Sequence, residues 1–348
     1  MKPERKENNL QPGELGHRLV ENMLAMTLDR IGNEGLSNAH KNIEHKDQGQ
    51  SLKALTQLEI GKGESAIVLA AGPSLHRNSV ADTIKSSKFA GAVVASESAM
   101  SYCLRNNLVP DLVVTLDPHS KRIVRWFGDP HLNESDLAED DYYSRQDMDP
   151  VFADEMRANE EILKLLDRHG KQIRIALSSS SSQQVVQRAL QTGMDIYWWN
   201  PMYDEPSDPE SITRKIYDLN GFPCLNAGGN VGSACWMMSD AVLGKRHVAL
   251  TGVDFSYYAD TPYSKTQYYH EAVDLVGEEN LDSIFMHIFN PHLKASFYTD
   301  PAYMWYRNCF LEMAKEAECI TYNCTEGGIL FGENILFVPL ESFLNRTG

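Results

Sequence analysis

Short, wholly apolar runs alternate with helical patterns along most of the chain. Residues 66–70 are the first such run, which is typical of a strand covered on both faces of a parallel sheet. Further strands are predicted at 90–96, 111–117, 173–177, 195–200, 247–254 and 319–323. Helices are predicted between and after them, at 80–87, 98–106, 152–167, 184–191, 233–243 and 301–316. This alternation, with short connections, predicts an α/β fold with a doubly wound, mostly parallel sheet.

The first 63 residues follow a different pattern. Residues 1–9 are charged and are expected to be disordered, whereas apolar positions recur at helical spacing from Leu15 to Ile31. That stripe needs a partner surface, either in its own core or in a second subunit, so a homo-oligomer is one of two outcomes. A shorter helical pattern covers 52–58. We therefore predict a helical N-terminal extension at 1–63 and a sheet domain at 64–340.

Two segments interrupt the sheet domain. Residues 129–150 are acidic and irregular, which predicts an exposed insertion or lid, with a solvated acidic loop as the plainer interpretation. Residues 258–300 are rich in aromatic residues and are expected to form a long, partly mobile flap. The flap carries the candidate catalytic groups Lys265, His270, His287 and His292.

Composition limits the partners and the compartment. The 48 acidic and 32 basic residues give a net charge of −16, which argues against binding to nucleic acid or anionic membrane. No apolar run reaches the roughly 18 residues of a membrane span, and the amino terminus lacks a signal-peptide core. None of the six cysteines forms a Cys-x-x-Cys pair, so reduced thiols in a cytoplasmic protein are expected.

The first predicted strand ends at a turn that suits an anion. Gly72 can adopt backbone angles closed to other residues, Pro73 suits the first position of a helix, and Ser74 can cap that helix. Free N–H groups and the helix dipole favour phosphate at such a turn. Taken alone, the stretch also fits an ordinary strand-to-helix turn.

Other polar residues fall on the same predicted edge of the sheet. Ligands of open parallel sheets bind at the carboxyl ends of the strands. The candidates there are Ser96, Glu97, Asp117, Asp254 and Ser256. A second glycine-rich helix start adds Gly228, Gly229 and Asn230. Two glycine-entered helices predict a nucleotide-like ligand with phosphate at one end and a polar ring at the other.

Several of these residues suit more than one role. Asp117 and Asp254 fit either Mg²⁺ held against a pyrophosphate or hydrogen bonds to backbone N–H groups. His270 titrates in the range of a general base, although a lone histidine is more often structural. The flap tyrosines fit stacking on a sugar or base, or plain packing: Tyr257, Tyr258, Tyr263, Tyr268 and Tyr269. P-loop, dinucleotide, nucleophile-elbow and His-Glu-x-x-His motifs are absent from the sequence.

Five motifs resemble the MptE-like superfamily, in its order, over about residues 50–335. They are Ala-Gly-Pro-Ser-Leu at 71–75, Pro-Asp-Leu-Val-Val-Thr-Leu-Asp-Pro at 110–118, Gly-Gly-Asn-Val-Gly at 228–232, Gly-Val-Asp-Phe-Ser at 252–256 and Tyr-Asn-Cys-Thr-Glu-Gly-Gly at 322–328. The best-known branch is the motility accessory factors (Maf), proposed to glycosylate flagellin with nonulosonic acids. Their central domains are similar to bacterial sialyltransferases, which implies a Rossmann-like sheet.

By that likeness, the residues facing the nucleotide are Gly72, Pro73, Ser74, Ser96, Gly229, Asn230 and Asp254. The chain departs from the sialyltransferases at Ala71, where they commonly have Asn. His270 is the nearest match to their catalytic histidine, but the local motif is not shared, so His287 and His292 stay open.

Three functions follow from the resemblance. The first is a glycosyltransferase that uses a nucleotide-sugar, such as a CMP-nonulosonic acid, and a protein or glycan acceptor. The second, after the archaeal branch, is a 6-hydroxymethylpterin diphosphokinase that moves pyrophosphate from ATP and needs Mg²⁺, with Asp117 and Asp254 as ligands. The third is a non-catalytic nucleotide-sugar-binding protein. Mg²⁺ is the cofactor that the resemblance implies, and only for the diphosphokinase.

Overall fold

The computed structural model describes residues 31–139 and 150–347. Most of the predicted amphipathic stripe at 15–31, and residues 140–149 of the predicted acidic insertion, lie outside the described residues. Of the described helices, none is both long enough and apolar enough to cross a membrane.

Thirteen strands are formed by the described residues. In chain order they are β1 (Gln50–Ser51), β2 (Ser65–Leu69), β3 (Ala92–Ser96), β4 (Leu112–Val114), β5 (Arg174–Ser178), β6 (Asp195–Pro201), β7 (Cys224–Leu225), β8 (His247–Thr251), β9 (Tyr257–Tyr258), β10 (Met286–Asn290), β11 (Ala295–Thr299), β12 (Ile320–Asn323) and β13 (Ile335–Phe337).

The α-helices alternate with most of these strands. They are α1 (Asn33–Asn42), α2 (Ser74–Arg77), α3 (Val80–Ser87), α4 (Glu97–Arg105), α5 (Ser120–Trp126), α6 (Glu134–Glu139), α7 (Glu155–His169), α8 (Gln183–Thr192), α9 (Ile212–Asn220), α10 (Val231–Met237), α11 (Tyr269–Val276), α12 (Pro301–Glu316) and α13 (Leu340–Thr347). A π-helical turn, Met238–Val242, continues α10.

The main sheet has ten strands, and every pair in it is parallel. Nine of them follow the order β1-β6-β5-β4-β3-β2-β8-β12-β13, and β7 pairs with the end of β6. The chain winds outward from β2 to β6, returns to β8 on the other side of β2, and then winds outward again. The predicted doubly wound, mostly parallel α/β sheet is confirmed.

Burial on both faces explains why the central strands are continuous apolar runs. Ala66 and Val68 of β2 face one core, which includes Trp236 of α10, whereas Ile67 and Leu69 face the other, which includes helix α3. Fully burying a Val, Leu or Ile side chain contributes about 1.5–3 kcal/mol. A two-sided core therefore selects apolar residues at consecutive strand positions, without the alternation of a one-sided sheet.

The described part of the predicted N-terminal extension packs on the main sheet. Gln50–Ser51 forms its edge strand beside β6, and Leu52 and Leu55 are buried in the core. Leu58 from the same predicted pattern is 44% exposed. The boundary at residue 63 stays a prediction, although β1 makes residues 50–51 part of the sheet.

The two interrupting segments contain regular structure, and their roles as insertion and flap stay predictions. Within the acidic insertion, residues 134–139 are helical and not irregular. The predicted flap is built on a three-stranded antiparallel sheet in the order β10-β11-β9. That sheet and α11 share a hydrophobic cluster of their own, which includes Tyr257, Ala272 and Tyr298. The segment is thus a small packed unit.

Candidate functional site

A cavity of about 220 Å³ opens at the carboxyl ends of the central strands. It lies where β2 and β8 are neighbours and the winding of the sheet reverses. Crevices at this reversal are where open α/β sheets bind ligands. Among the described residues, the charged groups of its lining are Glu97, Asp117 and Asp254, which are all acidic. Polar and aromatic lining also comes from the small unit and from α12.

Gly72 is required by close packing and not by an unusual φ. Its φ lies outside the left-handed region. A Cβ atom at this position would lie 2.1 Å from Asp254 Oδ2 and 2.4 Å from the Gly252 carbonyl oxygen. The Gly72 N–H donates to that same carbonyl at 2.8 Å. The reason expected from the sequence, permissive backbone angles, is therefore wrong at this position.

Ser74 holds a side chain from a distant strand instead of capping its own helix. Helix α2 starts at Ser74 itself, with Pro73 at the N-cap, so the predicted positions are shifted by one residue. Both the hydroxyl and the N–H of Ser74 donate to Asp254 Oδ2, at 2.8 and 3.3 Å. Pro73 lines the cavity, whereas Ser74 is buried behind it. The predicted capping role of Ser74 is wrong.

Asp254 is a buried residue of the cavity lining whose two carboxyl oxygens differ in their hydrogen bonds. Ser74 occupies Oδ2, whereas Oδ1 has no hydrogen-bond partner among the described residues. Burial raises the pKa of Asp254 to about 7, although the hydrogen bonds from Ser74 and the charge of Arg77 lower it. Such a carboxyl changes its charge near neutral pH, as acid–base groups of active sites commonly do.

Glu97 is the second buried carboxyl of the cavity. It is the first residue of α4, whose N-cap Ser96 accepts a hydrogen bond from the Ala99 N–H at 3.2 Å. Ser96 is buried and lies outside the lining residues. Burial raises the pKa of Glu97 well above its usual range, and the charge of Asp117 raises it further.

The second glycine-rich turn borders the same cavity. Asn230 is the N-cap of α10 and accepts from the Ser233 N–H at 2.9 Å. Gly228 and Gly229 both have positive φ, 59° and 80°. A Cβ atom on Gly229 would lie 2.6 Å from the Trp305 ring. Gly229 and Asn230 line the cavity together with Gly72, whereas buried Gly228 stands behind them.

Three tyrosines form the aromatic side of the cavity: Tyr268, Tyr303 and Tyr306. The hydroxyls of Tyr268 and Tyr306 lie 3.1 Å apart, and the Tyr303 hydroxyl donates to Gln267 Oε1 at 2.7 Å. Only Tyr268 was among the tyrosines singled out in the sequence. Tyr303 and Tyr306 were missed because the sequence pattern of α12 indicates only a helix. The signal that could have found them is Asp300 and Pro301, which place the first turns of α12 at a strand end.

The other flap tyrosines that were singled out serve packing and edge contacts in the small unit. Tyr257 is 2% exposed and stacks on Tyr298 and Tyr303. Tyr258 lies under the Arg77 guanidinium, 3.9 Å from the ring centre. Tyr263 stacks on Phe285, and the Tyr269 hydroxyl donates to Glu278.

The candidate histidines lie outside the cavity lining. His270 is an exposed residue of α11, His287 is exposed on β10, and His292 stacks on Phe337 with ring centres 4.7 Å apart. Lys265 is exposed as well. The catalytic role of His270 stays a prediction.

The remaining predicted residues line the cavity. Ser256 follows Asp254, and Asp117 accepts a hydrogen bond from the His119 N–H at 2.7 Å. A cluster of three or more metal-binding side chains is not found in the part of the chain that the structure describes. Mg²⁺ typically takes one or two carboxylates plus substrate phosphates. Asp117 and Asp254, on one cavity, suit that arrangement, and their role as ligands stays a prediction.

Comparison with known proteins gives two findings. A family model described as "6-hydroxymethylpterin diphosphokinase MptE-like" matches residues 37–129, well under half of the chain. The solved structure of a MAf glycosyltransferase from Magnetospirillum magneticum AMB-1 is similar with a TM-score of 0.49 and 11% identity. That similarity covers 91% of this chain and 41% of the other, and at this level it carries no argument about function. No curated protein matches the sequence.

The matched segment contains the second part of α1 together with β2, β3 and β4, and with them Gly72, Glu97 and Asp117 of the cavity. Residues 37–129 are thus similar to the MptE-like family, and two of the five motifs, at 71–75 and 110–118, lie in this segment.

Proposed function

We propose that this chain is a glycosyltransferase that binds a nucleotide-activated sugar in the cavity between Gly72 and Gly229. One observation carries the proposal: two glycine turns, separated by more than 150 residues in sequence, line one cavity at the reversal of a parallel sheet. Helix α10 begins at the second turn, where its dipole favours a phosphate, although the cap Asn230 already accepts from the Ser233 N–H. The tyrosine side suits the base or the sugar ring.

In the proposed reaction, a hydroxyl of a protein or glycan acceptor attacks the anomeric carbon. The bond from that carbon to the phosphate oxygen breaks, the nucleotide leaves with the electron pair, and a base takes the hydroxyl proton. His270 is the predicted base. The donor class, a CMP-nonulosonic acid, comes from the superfamily resemblance alone.

A diphosphokinase and a non-catalytic binding protein are the alternative functions. The description of the matching family model supports a diphosphokinase, in which Mg²⁺ held by Asp117 and Asp254 would neutralise ATP phosphates. A non-catalytic nucleotide-sugar-binding protein would use the same cavity without turnover.

Calorimetric titration of the full chain with CMP, UDP, GDP and ATP, with and without Mg²⁺, separates these functions. We expect CMP to bind without metal. ATP binding that requires Mg²⁺ would favour the diphosphokinase, and binding without transfer to any acceptor would favour the third function. If none of the four nucleotides binds, the proposal is wrong.

The base is tested by substitution. We expect His270→Ala to abolish transfer while nucleotide affinity stays within about twofold, because a general base acts on the acceptor and contributes 10²–10⁴-fold to rate. His40→Ala, at an exposed histidine of α1, is the matched control and should keep full activity. Full transfer by the His270 variant excludes this role.

A further inference from the structure

The buried Glu97 carboxyl has an oxygen without a hydrogen-bond partner among the described residues. The side chain is 3% exposed and lines the cavity. The N–H groups of Glu97 itself and of Leu116, just after β4, lower the pKa of the carboxyl, against the larger effect of burial. The oxygen without such a partner among the described residues is Oε2. A buried polar atom left without a partner costs about 1–3 kcal/mol, so an orphan at a cavity wall indicates a ligand or water as its partner.

Acidic groups face Glu97 from the neighbouring elements. Asp117 follows β4, and its charge disfavours an ionised Glu97. Asp254 lines the same cavity after β8. From α10, the buried Cys235 thiol lies within electrostatic range, and burial raises its pKa so that it stays neutral. The hydroxyls of Tyr268, Tyr303 and Tyr306 are the other titratable groups of the lining in the part of the chain that the structure describes.

This arrangement favours a proton on Glu97. Two carboxylates that share a site seldom ionise together, so one of them keeps its proton to a higher pH. Asp117 is half-buried and already accepts a backbone N–H, whereas Glu97 is almost fully buried. The proton therefore belongs on Glu97, where the unpartnered Oε2 is available to carry it.

We propose that Glu97 binds the ligand as a neutral carboxylic acid, with Oε2–H donating a hydrogen bond to a phosphate or sugar oxygen. The inference rests on the proposed function only for the nature of the ligand, an anionic nucleotide. It assigns to Glu97 the recognition of that anion in an acidic cavity. Ionised Glu97 would repel the phosphate and would have no hydrogen to donate, so the ligand binds together with one proton.

The test is the pH dependence of CMP binding to the wild-type chain and to Glu97→Gln. The Gln side chain has the same shape and donates from Nε2 but does not titrate. We expect the wild-type affinity, divided by that of the variant, to fall about tenfold per pH unit above the Glu97 pKa. Dividing the two affinities cancels the effect of CMP ionisation, because both chains bind the same ligand. The same ratio, measured with both chains carrying Asp254→Asn, should have the same slope, because the second buried carboxyl is then absent.

A second measurement does not depend on a variant that folds. Binding heats of CMP to the wild-type chain, in buffers of different ionisation enthalpy above the Glu97 pKa, should show uptake of about one proton. A ratio that is constant with pH, or binding without proton uptake, overturns the role of Glu97 and leaves the proposed function standing. Absence of nucleotide binding at every pH overturns both.

Discussion

At the scale of single residues, Asp254 explains several glycines of the motifs. Added Cβ atoms would lie 2.1 Å from Asp254 Oδ2 at Gly72, 2.9 Å from Oδ1 at Gly327 and 2.3 Å from the Asp254 carbonyl oxygen at Gly328. At Gly72 and Gly327 the buried carboxyl occupies the space that a side chain would need, and at Gly328 the backbone of the same residue does. Glycine motifs that look like turn signals in the sequence therefore also make room for a titrating group.

The raised pKa of Asp254 predicts a pH-dependent stability. Between its ordinary value of 3.8 and about 7, the folded chain keeps a proton that the unfolded chain has released. Stability is therefore lost as pH rises through this window, by about 4 kcal/mol for a shift of this size. We expect Asp254→Asn to remove this loss, because the amide does not titrate and its oxygen still accepts from Ser74.

Urea unfolding between about pH 4 and about pH 8 gives the free energy of unfolding of the variant and of the wild type. The effect is the change with pH in the difference between the two. Asp218→Asn, at an exposed position of α9, serves as the control and should show a nearly constant difference. Parallel curves for wild type and Asp254→Asn would contradict the prediction.

At the scale of elements, helix α1 fixes the strand ends beside the cavity. The Asn38 amide donates to the carbonyls of Pro118 and Ser180, both at 3.0 Å, and Pro118 directly follows the cavity residue Asp117. The Asn42 amide donates to the carbonyls of Ser179 and Ser181, at 2.9 and 2.7 Å. The five consecutive serines at 178–182 therefore join α1 to the end of β5, and Ser182 caps α8.

Removing one of these amides should destabilise the chain. In Asn42→Ala two buried carbonyl groups lose their donor, so we expect a loss of about 2–4 kcal/mol. Asn280→Ala, which removes an amide from the exposed surface, should cost less than about 0.5 kcal/mol. Urea midpoints at constant m-value report both changes. Equal midpoints for the two variants would show that α1 does not hold the strand ends.

At the scale of the whole molecule, stability should decrease from the centre of the sheet to its edges. β2 is paired on both sides, by β3 and β8, and all of its residues are buried. β13 is an edge strand with Leu336 47% exposed. Edge strands open with less loss of contact than central ones.

Hydrogen exchange followed by mass spectrometry tests this order. After correction for intrinsic rates, we expect amides of β2 and β8 to exchange at least about tenfold more slowly than those of β1 and β13. Similar protection across the sheet would indicate a single opening unit and would contradict the prediction.

The sequence by itself determined the class of the fold and most of its elements. The apolar run at 66–70 and the helices at 80–87 and 301–316 could be predicted because each follows a hydrophobic pattern within a short segment of the sequence. The two glycine turns and the strand-end acids could be placed on one edge of the sheet because the carboxyl ends of parallel strands all lie at the same edge.

Only the tertiary structure decided which residues meet. The Gly72 and Asp254 positions are separated in sequence by most of the sheet domain. Their contact, and the hydrogen bonds from Ser74 to Asp254, therefore depend on β8 lying next to β2. The same holds for the unpartnered oxygen of Glu97 and for Tyr303 and Tyr306, whose surroundings come from other elements. Local patterns specify elements, whereas the partners of a buried polar group are set by packing between segments distant in the chain.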